Sequence, residues 1–363
     1  MSEILFISRG LGWGHSIRDI LIAEEIFRNR PEISLGFSSY DSGYRAYEAF
    51  GRCCFNLDLP AAGSVGRRIC RLAKYIREVA PMLIVSDEEL FALPLSRGLG
   101  IPCILITNWF PPPGDEEGID MFNQADMILL AEQSGFPRAN RRITSPILYT
   151  GPIYRRNAYT AQDLQAARES LGIGVEERII LVTLGGSGSI TTMAANISLL
   201  EIIIEAFLQS QAAESLCLVC GSLGKFFSYA SSVDECIRII DNTPDILKLA
   251  AISHLVITRG GINTLWEMAD IGVPTLAIPY PPSINMFEEL YVQIMAKRGL
   301  TIYISQQDLT VEKLLTVMQE IQGPDYRNRV RSNFANLHIE WGVPRAAQAI
   351  MAHFDTHCWA KGR

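Results

Sequence analysis

The sequence predicts an α/β protein with two domains, each built around a parallel β-sheet. Short apolar runs of strand length are followed by glycine-rich turns and then by segments of helical periodicity, which is the pattern of βαβ units. Two such series occur, one beginning at Ile4 and one at Ile179. The apolar runs are unbroken, as expected for strands that helices cover on both faces. A length of 363 residues also suits two domains.

The first series opens with the strand ILFI (4–7) and the turn SRGLGWGHSIRD (8–19). The helix IRDILIAEEIFRN (17–29) follows, with its apolar side chains spaced to share one face. A basic amphipathic segment then precedes the buried strand MLIV (82–85). These segments describe one complete α/β series.

The second series has two strand–turn–helix units. In the first, RIILVTLGGSGS (178–189) precedes the helix ISLLEIIIEAFLQS (197–210). In the second, HLVITRGGINTLWEMADIG (254–272) leads into VPTLAIP (273–279). Because both turns follow strands of one parallel sheet, we expect them at the same edge, where such sheets bind ligands.

The linker is predicted within SPILYTGPIYRRNAYTAQDL (145–164), which is rich in residues that break secondary structure. We place the domains at 1–154 and 155–363, with a helix at 344–360 that can pack back on the first domain. The predicted architecture is two Rossmann-like domains with parallel sheets facing across a cleft.

The composition and charge of the chain exclude some classes of function. A net charge of −7 argues against nucleic acid as the partner, since phosphate binding needs a basic surface. The start MSEILFISRG has an acidic residue where a signal peptide would be basic, and no apolar run has the length of a membrane span. We therefore expect a cytoplasmic protein, with a peripheral position at the inner face of the membrane as an alternative.

The cysteines and histidines do not form a metal-binding pattern. Cys217 and Cys220 make a CxxC inside a predicted strand, where alternation sends the two side chains to opposite faces. His353 and His357 have helix-face spacing without an evident third ligand. We expect reduced thiols and no metal.

The opening glycine turn has the wrong spacing for a dinucleotide site. Its glycines stand at 10, 12 and 14, which gives GxGxG rather than GxGxxG. The strand ISLGFSS (33–39) ends in serines where an acidic partner for ribose would be expected. NAD binding is therefore disfavoured.

The turn at TRGGINTLWE (258–267) predicts a diphosphate site. Gly260 and Gly261 let backbone amides approach a ligand, and the N-terminus of the following helix favours negative charge there. Thr264 can donate its hydroxyl, and Glu267, one turn later, can accept from two vicinal hydroxyls such as those of ribose.

The segment TRGGINTLWEMADIGVPTLAIPYP (258–281) resembles the donor-binding segment of GT-B glycosyltransferases, in the branch of MurG and the UDP-glycosyltransferases. The resemblance extends to IIDNTPDILKLAAISHLVI (239–257), LGGSGS (184–189) and GLGWGHSIR (10–18). It implies the GT-B fold, an acceptor-binding first domain and a donor-binding second domain. It also implies that Arg155 lies near the phosphates. The implied donor-binding residues are Gly186, Ser187, Gly188, Asn242, Thr243, Arg259, Gly260, Gly261, Asn263, Thr264, Glu267, Glu288 and Glu289.

Two positions depart from the family pattern. Arg259 stands where plant-type enzymes have histidine, although the MurG-like branch tolerates arginine there. Phe287 and Glu288, with Glu289 beside them, replace the pair that grips the donor sugar. A carboxylate still accepts from sugar hydroxyls, so sugar binding is expected and the identity of the sugar is open.

The implied reaction is metal-independent, inverting transfer of a sugar from a nucleotide-sugar to an acceptor hydroxyl, with UDP-sugar as the expected donor. No DxD motif occurs, and the nucleotide-sugar is a co-substrate, so no cofactor is expected. His15 is the expected base, presented at the cleft by the turn of Gly12 and Gly14. The alternatives are a nucleotide-sugar hydrolase similar to PseG, with water as the acceptor, and a catalytically silent sugar-nucleotide binder. The acceptor is open among a small molecule, a glycan and a lipid-linked molecule.

A basic amphipathic helix is predicted over Arg67–Arg77, with basic residues at three- and four-residue spacing. One interpretation is a solvated outer helix. The other is weak contact with an anionic acceptor or a membrane surface.

Overall fold

A computed structural model describes residues 2–59, 64–133, 140–185, 190–210, 214–227, 234–321 and 324–360, without the side chains of 190–191, 222, 282–286, 324 and 358–360. The chain divides into two compact units. Unit 1 comprises 1–154 with 339–363, and unit 2 comprises 155–338.

Unit 1 contains a seven-stranded parallel sheet in the order β3-β2-β1-β4-β5-β6-β7. Its strands are β1 (Ile4–Ser8), β2 (Leu35–Ser39), β3 (Phe55–Asn56), β4 (Leu83–Asp87), β5 (Cys103–Thr107), β6 (Met127–Leu130) and β7 (Ile147–Tyr149). Its first helices are α1 (Gly14–Asn29), α2 (Asp41–Ala49), α3 (Val65–Val79), α4 (Ala92–Leu99) and α5 (Glu116–Phe122).

The sheet of unit 1 is covered on both faces. Along β1, Leu5 and Ile7 join one core, whereas Ile4 and Phe6 join the other, and all four side chains are fully buried. This division explains why β1 is an unbroken apolar run, since a strand with two buried faces has no polar side to alternate.

Unit 2 repeats the design with six parallel strands in the order β10-β9-β8-β11-β12-β13. They are β8 (Arg178–Thr183), β9 (Glu214–Val219), β10 (Ile237–Ile240), β11 (Leu255–Thr258), β12 (Thr275–Ala277) and β13 (Ile302–Tyr303). The helices are α6 (Ala161–Ser170), α7 (Ile190–Ser210), α8 (Ile246–Ile252), α9 (Ile262–Ile271), α10 (Pro282–Lys297), α11 (Val311–Ile321) and α12 (Pro324–Asn336).

Local sequence signals explain where several helices begin and end. Thr160 caps α6, because its hydroxyl accepts from the Asp163 amide while the Asp163 carboxylate accepts from the Thr160 amide. Gly272 ends α9 in the left-handed conformation. The helix predicted from Ile197 begins seven residues earlier, at Ile190.

One helix in the described part of the chain, Thr192–Ser210 within α7, has the length and hydropathy of a membrane span. Leu199, Leu200 and Ile203 of this helix are buried in the core of unit 2. Its apolar character therefore reflects packing against the sheet, because a helix buried in a protein core can be as long and as apolar as a membrane span.

The C-terminal helix α13 (Gly342–Ala360) packs back on unit 1, as predicted for 344–360, so unit 2 ends at 338 rather than at 363. Residues 339–363 lie with unit 1 rather than with the second domain. Val343, Ala346 and Ile350 are buried in the same core as Ile4 and Phe6, and α13 packs against α1. The chain returns because α1 and the sheet leave an apolar face that this helix covers.

The CxxC pair divides as strand alternation predicts. Cys217 lies in the core on one face of the second sheet and Cys220 in the core on the other. Burial raises the pKa of each thiol to about 11. Two buried thiols on opposite faces of a sheet cannot jointly bind one metal ion.

Candidate active site

The first cluster of polar side chains lies at the carboxyl ends of β1 and β4. These strands are neighbours, and Ser8 pairs with Asp87 at their ends. The strand order 3-2-1-4 changes direction between β1 and β4, so this edge is a topological switch point, where open α/β sheets bind ligands.

His15 lies in the first turn of α1, as predicted, and its side chain is 17% exposed. Its Nδ1 is 2.7 Å from Oδ1 of the fully buried Asp87. Nη2 of Arg18 also lies 3.0 Å from Nδ1, but it donates to Oδ1 of Asp87. Because a carboxylate only accepts, we assign the proton to Nδ1 and the lone pair to Nε2. This is the tautomer that a general base needs.

Arg18 holds the carboxylate of Asp87 from a second side. It lies one turn after His15, and its Nε donates to Oδ2 of Asp87 at 2.8 Å while Nη2 donates to Oδ1. Burial alone would raise the pKa of Asp87, but the charge of Arg18 and the hydrogen bonds from Arg18 and His15 outweigh it, so this pKa lies below its usual range. Asp87 is therefore ionised at neutral pH.

Glu88 lies on the other side of the imidazole. Its Oε2 is 3.9 Å from Nε2 of His15, and its Oε1 accepts from the hydroxyl of Thr107 at 3.1 Å. The backbone of Glu88 has a φ of 55°, a conformation that non-glycine residues seldom adopt and that is concentrated at functional sites. His15 thus stands between two carboxylates.

The glycine turn before His15 requires glycine at two positions. Gly12 has a φ of 82°, and a Cβ on Gly10 would collide with Tyr40. The Gly12 amide donates to Ser42 Oγ at 2.8 Å, which in turn donates to the Gly10 carbonyl at 2.8 Å. The turn is thereby tied to α2, and Gly14 begins α1.

In unit 2, the two predicted donor-binding turns follow neighbouring strands. The ends of β8 and β11 are paired, Thr183 with Thr258, at the point where the strand order again reverses. Gly186, Ser187 and Gly188 follow β8 but lie outside the described residues.

Gly260 and Gly261 connect β11 to α9. Gly260 has a φ of 84°, and an added Cβ would collide with Val292. The helix starts at Ile262, so Asn263 and Thr264 lie in its first turn, where backbone N–H groups lack partners within the helix. This arrangement can hold an anion such as a diphosphate.

Glu267 lies on the second turn of α9, with 3% of its side chain exposed. Its Oε1 accepts from Nε of Arg155 at 2.7 Å, and its Oε2 accepts from Nη2 at 3.1 Å. Nη1 of Arg155 donates to the Pro244 carbonyl at 3.1 Å. Arg155 thus forms an ion pair with the predicted ribose-binding carboxylate.

Arg259 directly precedes the glycine pair and is buried inside the unit. Its hydrogen bonds go to Asn196, Ala195, Ile278 and Gln306. It also lies over the ring of Tyr280, 4.4 Å from the centroid. Burial lowers its pKa, against the charges of Tyr280 and Glu288. These hydrogen bonds engage most of the N–H donors of the guanidinium, so few are left for a ligand. A role of Arg259 in donor binding stays a prediction.

The remaining predicted donor residues lie at the surface of unit 2 or are half-buried. Asn242 is exposed, and Thr243 Oγ1 accepts from the Asp245 amide at 3.1 Å. Glu288 is half-buried, and Glu289 accepts from the hydroxyl of Tyr303. Their contacts with a donor stay predictions.

Asp87 and Glu88 were not predicted from the sequence as site residues. Their signal was present, because SDEE (86–89) directly follows the recognised strand MLIV. Carboxylates at the end of a strand beside the glycine turn of β1 would be expected near His15, once the strand order was known.

The fold and the similarity to known proteins define the class. Two parallel sheets of Rossmann-like order are the GT-B architecture, and residues 180–339 match the Glycosyltransferase family 28 C-terminal domain. The chain is therefore a glycosyltransferase of GT-B fold, as its sequence resemblance implied.

Individual proteins of this class are similar over most of the chain. An uncharacterized glycosyltransferase of Methanopyrus kandleri is 25% identical over 302 residues, 79% of this chain and 76% of that protein. The UDP-N-acetylglucosamine–N-acetylmuramyl-(pentapeptide) pyrophosphoryl-undecaprenol N-acetylglucosamine transferase of Rubrobacter xylanophilus is 26% identical, covering 78% and 80%. The crystal structure of Acinetobacter baumannii MurG superposes with a TM-score of 0.62 at 14% identity, covering 96% and 99%, which shows a shared fold.

Proposed function

We propose that the protein is an inverting, metal-independent glycosyltransferase that moves a sugar from a UDP-sugar to an acceptor hydroxyl. The observation that carries the proposal is the His15–Asp87 pair at the switch point of unit 1. An imidazole with its Nδ1 proton on a buried carboxylate and its Nε2 available is the arrangement of a general base.

The chemical step follows from this arrangement. Nε2 of His15 takes the proton of the acceptor hydroxyl as its oxygen bonds to the anomeric carbon, and the bond to the diphosphate breaks with its electron pair leaving on the nucleotide. Asp87 stabilises the imidazolium that forms, and Arg18 keeps Asp87 in place. Attack on one face and departure from the other invert the configuration.

Unit 2 would hold the donor. The N-terminal amides of α9 and the turn at Gly260 would stabilise the leaving diphosphate, which carries more negative charge as the bond breaks. UDP is favoured as the nucleotide because the similar transferase of Rubrobacter xylanophilus has UDP-N-acetylglucosamine in its name. That name also contains an undecaprenol-linked acceptor, so lipid-linked glycans belong among the acceptors to be tested here.

Hydrolysis of the nucleotide-sugar is the second candidate, and Glu88 favours it. Nε2 of His15 and Oε2 of Glu88 are 3.9 Å apart. An oxygen atom at the ordinary hydrogen-bonding distance of about 2.8 Å from both would therefore form an angle of about 90° with these two acceptors. Water can donate one proton to each acceptor, whereas a hydroxyl has a single proton and satisfies one of them.

The test is the release of nucleoside diphosphate from a panel of UDP- and dTDP-sugars, with and without candidate acceptors. Release that depends on an acceptor supports transfer. Comparable release in water alone supports the hydrolase, and no release under any condition points to a catalytically silent binder.

The catalytic assignment is tested with His15→Ala. We expect turnover to fall by at least about 100-fold, since a positioned base contributes roughly that factor or more. UDP affinity should persist, because the proposed donor-binding residues lie in unit 2. Turnover within about tenfold of wild type would contradict the assignment of the base.

A further inference from the structure

We propose that Arg155 is the positioning residue for Glu267, and that it thereby sets the preference of the donor site for ribonucleotides over 2′-deoxyribonucleotides. The inference rests on the proposed donor site in unit 2. Arg155 contacts Glu267 at two points, from Nε to Oε1 at 2.7 Å and from Nη2 to Oε2 at 3.1 Å.

This contact fixes the plane of the Glu267 carboxylate. A guanidinium is a rigid fork that meets both oxygens of a carboxylate at once, so the carboxylate cannot turn without breaking a charged hydrogen bond. The third contact, from Nη1 to the Pro244 carbonyl, ties the same guanidinium to the segment that follows Asn242 and Thr243. Arg155 therefore joins the predicted base-binding segment to the predicted ribose-binding carboxylate.

The contact leaves hydrogen-bonding capacity on the Glu267 carboxylate. A carboxylate has about four acceptor positions, two on each oxygen, and Arg155 uses one on each. One position stays on each oxygen, which suits two vicinal hydroxyls. A 2′-deoxyribose lacks one of these donors and would leave one oxygen of a nearly buried carboxylate unsatisfied, which is costly.

Arg155 also supplies the charge that makes a buried carboxylate tolerable. Burial lowers the pKa of Arg155, but the neighbouring charge of Glu267 outweighs burial and raises it, so the arginine stays protonated. The matched control is Arg156, the next residue, whose side chain is exposed. It has the same charge at almost the same place in the chain.

The experiment measures the affinity of UDP and of 2′-deoxyuridine diphosphate for the full-length protein by calorimetry. Wild type should prefer UDP by roughly 10-fold or more, the effect of one hydrogen bond to a charged group. Arg155→Ala should reduce this ratio to within about threefold, and Arg156→Ala should leave it unchanged. Arg155→Lys, which keeps the charge but not the fork, should give an intermediate ratio.

Because the readout is a ratio on one folded protein, loss of stability alone does not change it. If Arg155→Ala lowers both affinities equally and keeps the ratio, the inference is wrong. Equal losses for both diphosphates but not for UMP would show that Arg155 binds the diphosphate instead. A wild-type protein that shows no preference for UDP, or prefers the deoxynucleotide, would overturn the inference, whereas one that binds no nucleoside diphosphate would overturn the proposed function itself.

Discussion

Three consecutive carboxylates at the end of β4 have separate partners. Asp87 contacts His15 and Arg18, and Glu88 lies 3.6 Å from Arg9. Glu89 is 3.7 Å from Arg68 and accepts from the hydroxyl of Tyr40 at 2.9 Å. All three are nearly or fully buried, so each needs a cation or donors nearby to offset its desolvation. This pairing lets several carboxylates share one edge of the sheet.

Asp87→Asn should reduce turnover by about 100-fold or more, because an amide neither fixes the Nδ1 proton of His15 nor stabilises the imidazolium. UDP affinity should change little. The control is Asp58→Asn, which alters an exposed carboxylate paired with Arg71 at 2.9 Å and should leave turnover unchanged. Steady-state kinetics together with thermal melting separate catalysis from stability, and near-normal turnover by a folded Asp87→Asn would refute the role of the pair.

Asp19 is a buried acid beside this pair. Burial and the charge of Asp87 raise its pKa well above the usual range, against hydrogen bonds from Ser8 and Tyr47. In the part of the chain that the structure describes, its Oδ1 has no hydrogen-bond partner. We infer that Asp19 keeps its proton at pH values where exposed aspartates are ionised.

This protonation predicts a pH-dependent effect of Asp19→Asn. Above about pH 4 the unfolded chain loses the Asp19 proton while the folded chain keeps it, so wild-type stability falls by about 1.4 kcal/mol per pH unit up to the folded pKa. Asparagine does not titrate. Melting temperatures from pH 4.5 to 7.5 should therefore shift progressively in favour of Asp19→Asn, with Asp58→Asn as the flat control. A difference independent of pH would show that Asp19 is ionised in the fold.

At the scale of elements, the turn before α9 depends on Gly260. We expect Gly260→Ala to destabilise unit 2 by about 1 kcal/mol or more, since alanine is strained at positive φ and its Cβ meets Val292. It should also weaken UDP binding. Gly272→Ala is the matched control, with a φ of 72° at the other end of the same helix. It should cost similar stability and leave UDP affinity intact, and equal effects of both variants on affinity would contradict the site.

Helix α3 presents its apolar side chains to the core, where Leu72 and Ile76 are buried. Arg68 also points inward, donating to the hydroxyl of Tyr40 at 2.6 Å. Only exposed charges such as that of Arg67 remain for an outside partner, so membrane contact through α3 stays a prediction that rests on charge alone.

Neighbouring arginines of α3 should therefore differ in their effect on stability. Arg68→Ala should cost about 1–3 kcal/mol, because it leaves Glu89 buried without its cation. Arg67→Ala should change the melting temperature very little. Indistinguishable melting curves for the two variants would argue against the inward role of Arg68.

At the scale of the molecule, α13 completes unit 1. Ile350 is fully buried, whereas Ala352 of the same helix is exposed. Ile350→Asp should therefore lower the melting temperature by about 5 °C or more, because it buries a charge in the core. Ala352→Asp should have little effect. Similar small effects of both substitutions would show that α13 contributes no core to unit 1.

Much of the second unit was predictable because its signals are local. The glycine pair and Glu267 lie within eight residues of one another along a strand, turn and helix, so short-range rules place them. His15 was found in the same way, from a glycine turn that opens a helix. Asp87 and Arg155 were harder to place, because their partners are 72 and 112 positions away in sequence.

The sequence by itself determined the α/β class, the two strand series, the glycine turns and the first residue of the second unit, since periodicity and turn chemistry are local properties of the chain. Only the tertiary structure decided which carboxylate faces His15, which cation holds Glu267 and at which residue the chain returns to unit 1. Those pairings depend on strand order and on which apolar face is left uncovered. Both are set by long-range packing, which no local pattern specifies.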